Sequence, residues 1–115
     1  MKKEKIFEIM VEMYKHDLEW QIPKAIKSMK SEGVNSWEFE VDRDATPENY
    51  TKKDEEYARG ISLIALRQAV EETIKKNGRR YGSKIECLEI RIRYSRFNNG
   101  EYYLYHDYIV IKKEL

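Results

Sequence analysis

Arg91, Arg93 and Arg96 recur at near-strand spacing in the last third of the chain, interleaved with Tyr94, Tyr102, Tyr103, Tyr105 and Tyr108. Guanidinium and phenol groups anchor interfaces because each buries a large area while keeping a polar end satisfied. A hairpin face that alternates them is a candidate contact surface. Tyrosine is also an ordinary strand former, so packing alone accounts for part of the pattern. A second group, Lys75, Lys76, Arg79, Arg80 and Lys84, sets five cations within ten residues around Gly78 and Gly82. Beside strands that bear arginines, a loop of this kind could hold phosphates while nearby tyrosines stack on bases. Cations are equally favoured at a helix C-terminus by the macrodipole, where they simply face water. The run from Gly78 to Gly82 is no phosphate loop, since no Lys-Ser/Thr follows and no strand precedes it.

Glu38, Glu40 and Asp42 share one side of a short alternating segment, with Asp44 just beyond. Carboxylates so placed could take a divalent cation through oxygen ligands, as a metal-dependent nuclease needs. That reading requires converging ligands elsewhere, which the sequence does not locate, and a solvated outer strand face explains the acids without them. His16 and His106 are the two imidazoles. His106 could serve as a general acid or base in a ribonuclease-like site with the arginines. Its neighbour Asp107 points to the opposite strand face, so it cannot readily orient the ring. Cys87 has no fixed histidine partner and reads as a small strand-face residue.

These groups must be carried by a single domain of 115 residues, spanning 1–115, in which 37% of residues are charged, 41% hydrophobic and 12% aromatic. That apolar share supports a core, and disorder is not expected. The net charge of +1 conceals segregation: residues 1 to 31 sum to +2, 32 to 59 to −5, and 60 to 115 to +4. Such blocks can create local fields without a basic composition. One cysteine permits neither an intramolecular disulfide nor a thiolate cluster, which suits a reducing cytoplasm. The basic start lacks an apolar segment behind it, because Glu8, Glu12, Lys15 and Asp17 interrupt it, so neither a signal peptide nor a membrane span is expected.

Ile6, Ile9, Met10, Met13 and Tyr14 form a helical stripe, giving a first helix from about Lys3 to about Trp20. Pro23 then suits the first turn of a second, shorter helix carrying Ala25, Ile26 and Met29, which stops at Gly33. Trp37, Phe39 and Val41 alternate with the acids over Ser36 to Asp42, a half-buried strand. A long third helix begins either at Thr46-Pro47 or at Thr51 with Asp54 and closes at Asn77-Gly78. Its expected stripe is Tyr57, Ile61, Leu63, Ile64, Leu66, Val70 and Ile74, with Gly60 marking a break or a close contact. The segment from Lys84 to Lys113 reads as a long hairpin turning at Asn98-Asn99-Gly100. A two-residue turn puts Leu88 opposite Ile111 and Ile92 opposite Asp107, whereas a three-residue loop puts Asp107 opposite Arg91. In either register the last strand is apolar on both sides, so something should cover it.

The expected fold is α+β: two N-terminal helices, one strand, a long central helix and a C-terminal β-hairpin, with the helices packed on one face of a small sheet. The expected function is that of a small non-catalytic binding or regulatory protein. Its size, charge density and usage of Lys, Ile, Tyr and Glu fit an inhibitor encoded by a phage or other mobile element. It would act through Arg91, Arg93, Arg96, Tyr102, Tyr103 and Tyr108 on a protein partner or on a second copy of itself. Nucleic-acid or nucleotide binding by the basic 75–96 region is the alternative, and a ribonuclease-like enzyme the third. No cofactor and no metal are expected.

Overall fold

The computed structural model describes residues 2–42, 51–80, 85–96 and 103–113. The first element is a single helix, α1 (Lys3–Glu32), with Ile6, Met10, Tyr14, Leu18, Ile22, Ala25, Ile26 and Met29 buried along one side. The expected division at Pro23 does not occur. Proline removes one backbone hydrogen bond and crowds the preceding turn, but the buried stripe continues in phase through Ile22, Ala25, Ile26 and Met29. Tertiary burial of four large or well-packed positions outweighs one lost bond. On the solvent side the Asp17 carboxylate accepts from Trp20 Nε1 at 3.1 Å and Gln21 Nε2 at 2.6 Å, bracing the turn just before the proline. The helix ends where expected: Gly33 takes φ 67° and, with Val34, donates its N–H to the Met29 carbonyl.

After β1 (Ser36–Asp42) the chain forms α2 (Lys52–Arg80). Its start is the Thr51 and Asp54 pair: Asp54 N–H donates to Thr51 Oγ1 at 3.1 Å and Thr51 N–H to Asp54 Oδ2 at 3.2 Å. This is a capping box; the alternative start at Thr46-Pro47 lies outside the described residues. Gly60 neither breaks the helix nor meets a neighbour, since a Cβ built there would find open space. The expected close at Asn77-Gly78 is also corrected, because helical backbone continues to Arg80.

The two helices run side by side in the same direction. Lys3 sits over the Tyr57 ring, Lys15 lies 3.8 Å from Glu72, and Lys76 lies 3.2 Å from Glu19, so residue numbers rise together along both. On α2 the buried positions are Ala58, Ser62, Ala65, Leu66, Ala69, Val70 and Thr73. Small side chains there admit the larger residues of α1. The Ser62 and Thr73 hydroxyls donate to the Arg59 and Ala69 carbonyls at 2.9 and 2.7 Å, so neither is buried without a partner.

Two further strands, β2 (Ile85–Arg96) and β3 (Tyr103–Lys113), complete an antiparallel sheet of order β1-β3-β2. Neither expected register runs its whole length. Ile90 pairs with Ile109, Ile92 with Asp107 and Arg96 with Tyr103, but a shift between Cys87 and Glu89 brings Cys87, not Leu88, opposite Ile111. The alternative with Asp107 opposite Arg91 is excluded. The turn expected at Asn98-Asn99-Gly100 lies outside the described residues.

The expected fold is thereby corrected. Among the described residues there are two helices, of 30 and 29 residues, rather than three. Of the residues whose burial is described, the buried apolar side chains lie on the two helices apart from Val41 and Ile85, and Trp37, Phe39, Cys87 and Ile90 of the sheet pack partly against them.

Candidate functional site

Strand β3 is central, so each of its residues has a neighbour on both sides, and the register sorts the chemistry into rows. His106 lies opposite Asp42 and Arg93, Tyr108 opposite Glu40 and Arg91, Val110 opposite Glu38 and Glu89, and Lys112 opposite Ser36 and Glu86. Val41 is buried and Trp37, Phe39, Cys87 and Ile90 pack partly against the core, whereas Glu38, Glu40, Glu86 and Glu89 are exposed. Strand alternation therefore assigns these rows to the face turned away from the helices. The register shift after Cys87 resets the parity of β2, which is how Glu89, and with it positions 91 and 93, reaches that face.

Neighbouring strands lie about 4.8 Å apart, so β1 and β2 are separated by about 9.6 Å across β3. Acids at 38, 40 and 42 thus border one side of a row of His106, Tyr108 and Val110, and arginines at 91 and 93 border the other. The face is of mixed sign: β1 brings acids, and β2 brings Glu86 and Glu89 as well as the two arginines.

The expected binding residues do not gather in one place. Arg91, Arg93 and Tyr108 share the outer-face rows, while Arg96 and Tyr103 pair with each other at the other parity, beyond the end of β1. Tyr102 and Lys84 lie outside the described residues. Lys75 and Lys76 are exposed near the end of α2, with Lys76 paired to Glu19, and Arg79 and Arg80 are its last helical residues rather than part of a loop. From Ile85 to Arg91 the strand rises about 20 Å. The cations of the helix end and those of the strand therefore form two groups on different elements.

Asp107 lies opposite Val41 and Ile92, away from the row of His106. Asp42, which no spacing in the sequence associates with His106, is its cross-strand neighbour; only the β1 to β3 register reveals this. Cys87 is half-buried, its Sγ donates to the Glu89 carbonyl at 3.8 Å, and burial pushes its thiol above the ordinary pKa. An open groove of about 540 Å³ follows α1, lined by Lys5, Glu8, Ile9, Glu12, Met13 and His16, a feature that the helical stripe alone did not suggest. Among the described residues no three His, Cys, Asp or Glu side chains are grouped to hold a metal ion. None of the described helices is long and apolar enough to cross a membrane. Comparison with protein-family models, with curated proteins and with solved structures gives no match.

Proposed function

We propose that this chain is a small non-catalytic binding or regulatory protein that docks a protein partner on the sheet face turned away from its helices. The observation that carries the reading is the mixture of sign within one face: acids on β1, His106, Tyr108 and Lys112 on β3, and Glu86 and Glu89 beside Arg91 and Arg93 on β2. A polyanion wants a contiguous basic surface, because affinity comes from neutralising successive phosphates. Glutamates within two strand spacings of the arginines oppose that. Mixed charge around aromatic residues suits a protein surface, where complementarity selects the partner and aromatic and arginine side chains anchor it.

The test is capture from lysate with and without nuclease, using the wild-type chain and Arg91→Glu. Capture that survives nuclease and is lost in Arg91→Glu supports the reading. Capture abolished by nuclease, or a variant that retains all its partners, overturns it.

The cross-strand placement of Asp42 beside His106, with Arg93 opposite, favours a second reading as a ribonuclease-like site. RNA cleavage abolished by His106→Ala would support it; cleavage unchanged in that variant would remove it.

A further inference from the structure

We propose that α2 pairs antiparallel with α2 of a second copy of the chain, the Ile64 side chain of each copy filling the space beside Gly60 of the other. Lys53, Glu56, Gly60, Ile64, Arg67 and Glu71 follow one another at steps of three or four residues, so they form one stripe along this helix. All six are exposed, and they lie on the side of α2 away from the buried Ala58, Ser62, Ala65, Ala69 and Thr73. The stripe therefore faces outward. At its centre Ile64 is 62% exposed, and one turn earlier Gly60, a residue disfavoured inside helices, leaves a hollow in which a Cβ would meet nothing. A projecting side chain and a hollow on the same face of one helix cannot fill each other. Across two antiparallel copies they do.

Charge selects the same arrangement. Gly60 and Ile64 are equally far from Ser62 along the chain, as are Lys53 and Glu71, and Glu56 and Arg67 match to within one residue. A two-fold axis that crosses the helix pair at the level of Ser62 thus sets Lys53 beside Glu71 of the second copy, Glu56 beside its Arg67, and Ile64 beside its Gly60, each contact occurring twice. Among the described residues none of these four charges has an ion pair within its own chain. Other registers lose the match. One turn in one direction brings Glu56 about level with Glu71 and Lys53 with Lys75, and one turn in the other brings Lys53 level with Arg67 and hollow against hollow at Gly60. A parallel pair, with its axis along the helices, lays every charge on its own copy. Of these arrangements only the antiparallel pair centred at Ser62 satisfies sign and shape together.

The stretch from Lys53 to Glu71 is about 27 Å long at 1.5 Å per residue and about 10 Å wide, or about 270 Å² on each copy. That is well below the roughly 800 Å² per partner of a standard stable interface, so the dimer is weak and concentration-dependent. This surface belongs to a different element from the outer sheet face, and the two readings stand independently.

The experiment is sedimentation velocity of the full chain over a concentration series, for wild type, Gly60→Leu, Ile64→Ala, Glu56→Arg, Arg67→Glu, an equal mixture of the last two, and Arg91→Glu on the sheet face. Gly60→Leu fills the hollow and Ile64→Ala removes what enters it, so each should weaken association by about tenfold or more. Glu56→Arg and Arg67→Glu each put like charges together and should do the same, whereas their mixture should restore a dimer, now a heterodimer. Arg91→Glu should associate as wild type does. Circular dichroism and thermal unfolding report whether each variant folds; if Glu56→Arg or Arg67→Glu does not, Lys53→Glu and Glu71→Lys repeat the exchange at the flanking pair. A wild type that stays monomeric throughout, variants at positions 60 and 64 that associate as wild type does, a mixture that stays monomeric, or a dimer lost in Arg91→Glu would each overturn the proposal. A monomeric wild type that captures another protein from lysate, keeps it in Arg91→Glu and loses it in Ile64→Ala would give the stripe a different occupant and reject the second copy.

Discussion

Asp54 shows how much one side chain at a helix start can decide. Its carboxylate is held below its ordinary pKa first by the Thr51 backbone N–H, an effect that burial opposes in part and to which the Thr51 hydroxyl adds less. A carboxylate with a depressed pKa in the folded state contributes stability that is fully present above its unfolded value, about 4, and is lost as pH falls toward its folded value. Urea unfolding from pH 7 down to pH 3 should therefore show wild type and Asp54→Asn converging as the solution is acidified. A difference that stays constant to pH 3 would show that the ionised carboxylate is not what matters. Thr51→Ala removes the reciprocal half of the cap and should cost about 1 kcal/mol at pH 7. This pair was legible as Thr51 followed by an acid three residues on, because the chemistry is local. Cys87 was legible only as a strand residue; that burial raises its thiol pKa depends on elements distant in sequence. Its alkylation at pH 8 should accordingly be slower than that of a free cysteine peptide.

At the level of elements, the helices were misread wherever tertiary packing overrode local rules. Pro23 is a strong local stop signal, yet α1 runs through it because the apolar stripe stays in phase on both sides. The backbone bond lost there is recoverable, and Pro23→Ala should raise stability by about 2 kcal/mol, read from the urea midpoint. Gly60 has open space around its Cβ position and lies inside α2, so Gly60→Ala should add about 0.5 to 1 kcal/mol. The expected stripe on α2 holds at Leu66 and Val70, which are buried, and at Tyr57, Ile61 and Ile74, which pack partly against the core. It does not hold at Ile64, which is 62% exposed, while Ala58, Ala65 and Ala69, which a ranking by hydrophobicity passes over, are fully buried against the neighbouring helix. Close helix approach selects small residues, a need invisible in one helix alone. Ala65→Leu should overpack that contact and cost about 1 to 3 kcal/mol, whereas Ile64→Ala should stay within about 0.5 kcal/mol. Equal effects at the two positions would mean that α2 presents a different side to α1.

For the whole molecule, the charge blocks of the sequence matter through the way the fold brings them together. The acidic middle supplies β1 and the basic end supplies β2, and β3 holds them side by side, so the blocks become one mixed face rather than separate acidic and basic surfaces. The block sums were legible. The pairing was not, because residues 102 to 111 are apolar at both parities and the irregularity at Leu88 shifts the register by one residue, a change that exchanges strand faces. The same geometry separates folding from association in their response to salt. Folding draws on an apolar core between α1 and α2, and its interhelical ion pairs, Lys15 with Glu72 and Lys76 with Glu19, are partly exposed at 3.8 and 3.2 Å. Pairs of that kind contribute about 0 to 1 kcal/mol each. The proposed docking of a protein partner on the sheet face draws on its mixed charges, and the Debye length shrinks from about 10 Å at 0.1 M salt to about 3 Å at 1 M, so charge contacts across such an interface are screened. Raising salt over that range should leave the urea midpoint nearly unchanged and weaken capture of a partner by the sheet face. A midpoint that falls steeply with salt would place charge in the fold itself, and capture that persists or strengthens in 1 M salt would point to an apolar contact elsewhere, with the face of Glu40 and Arg91 uninvolved.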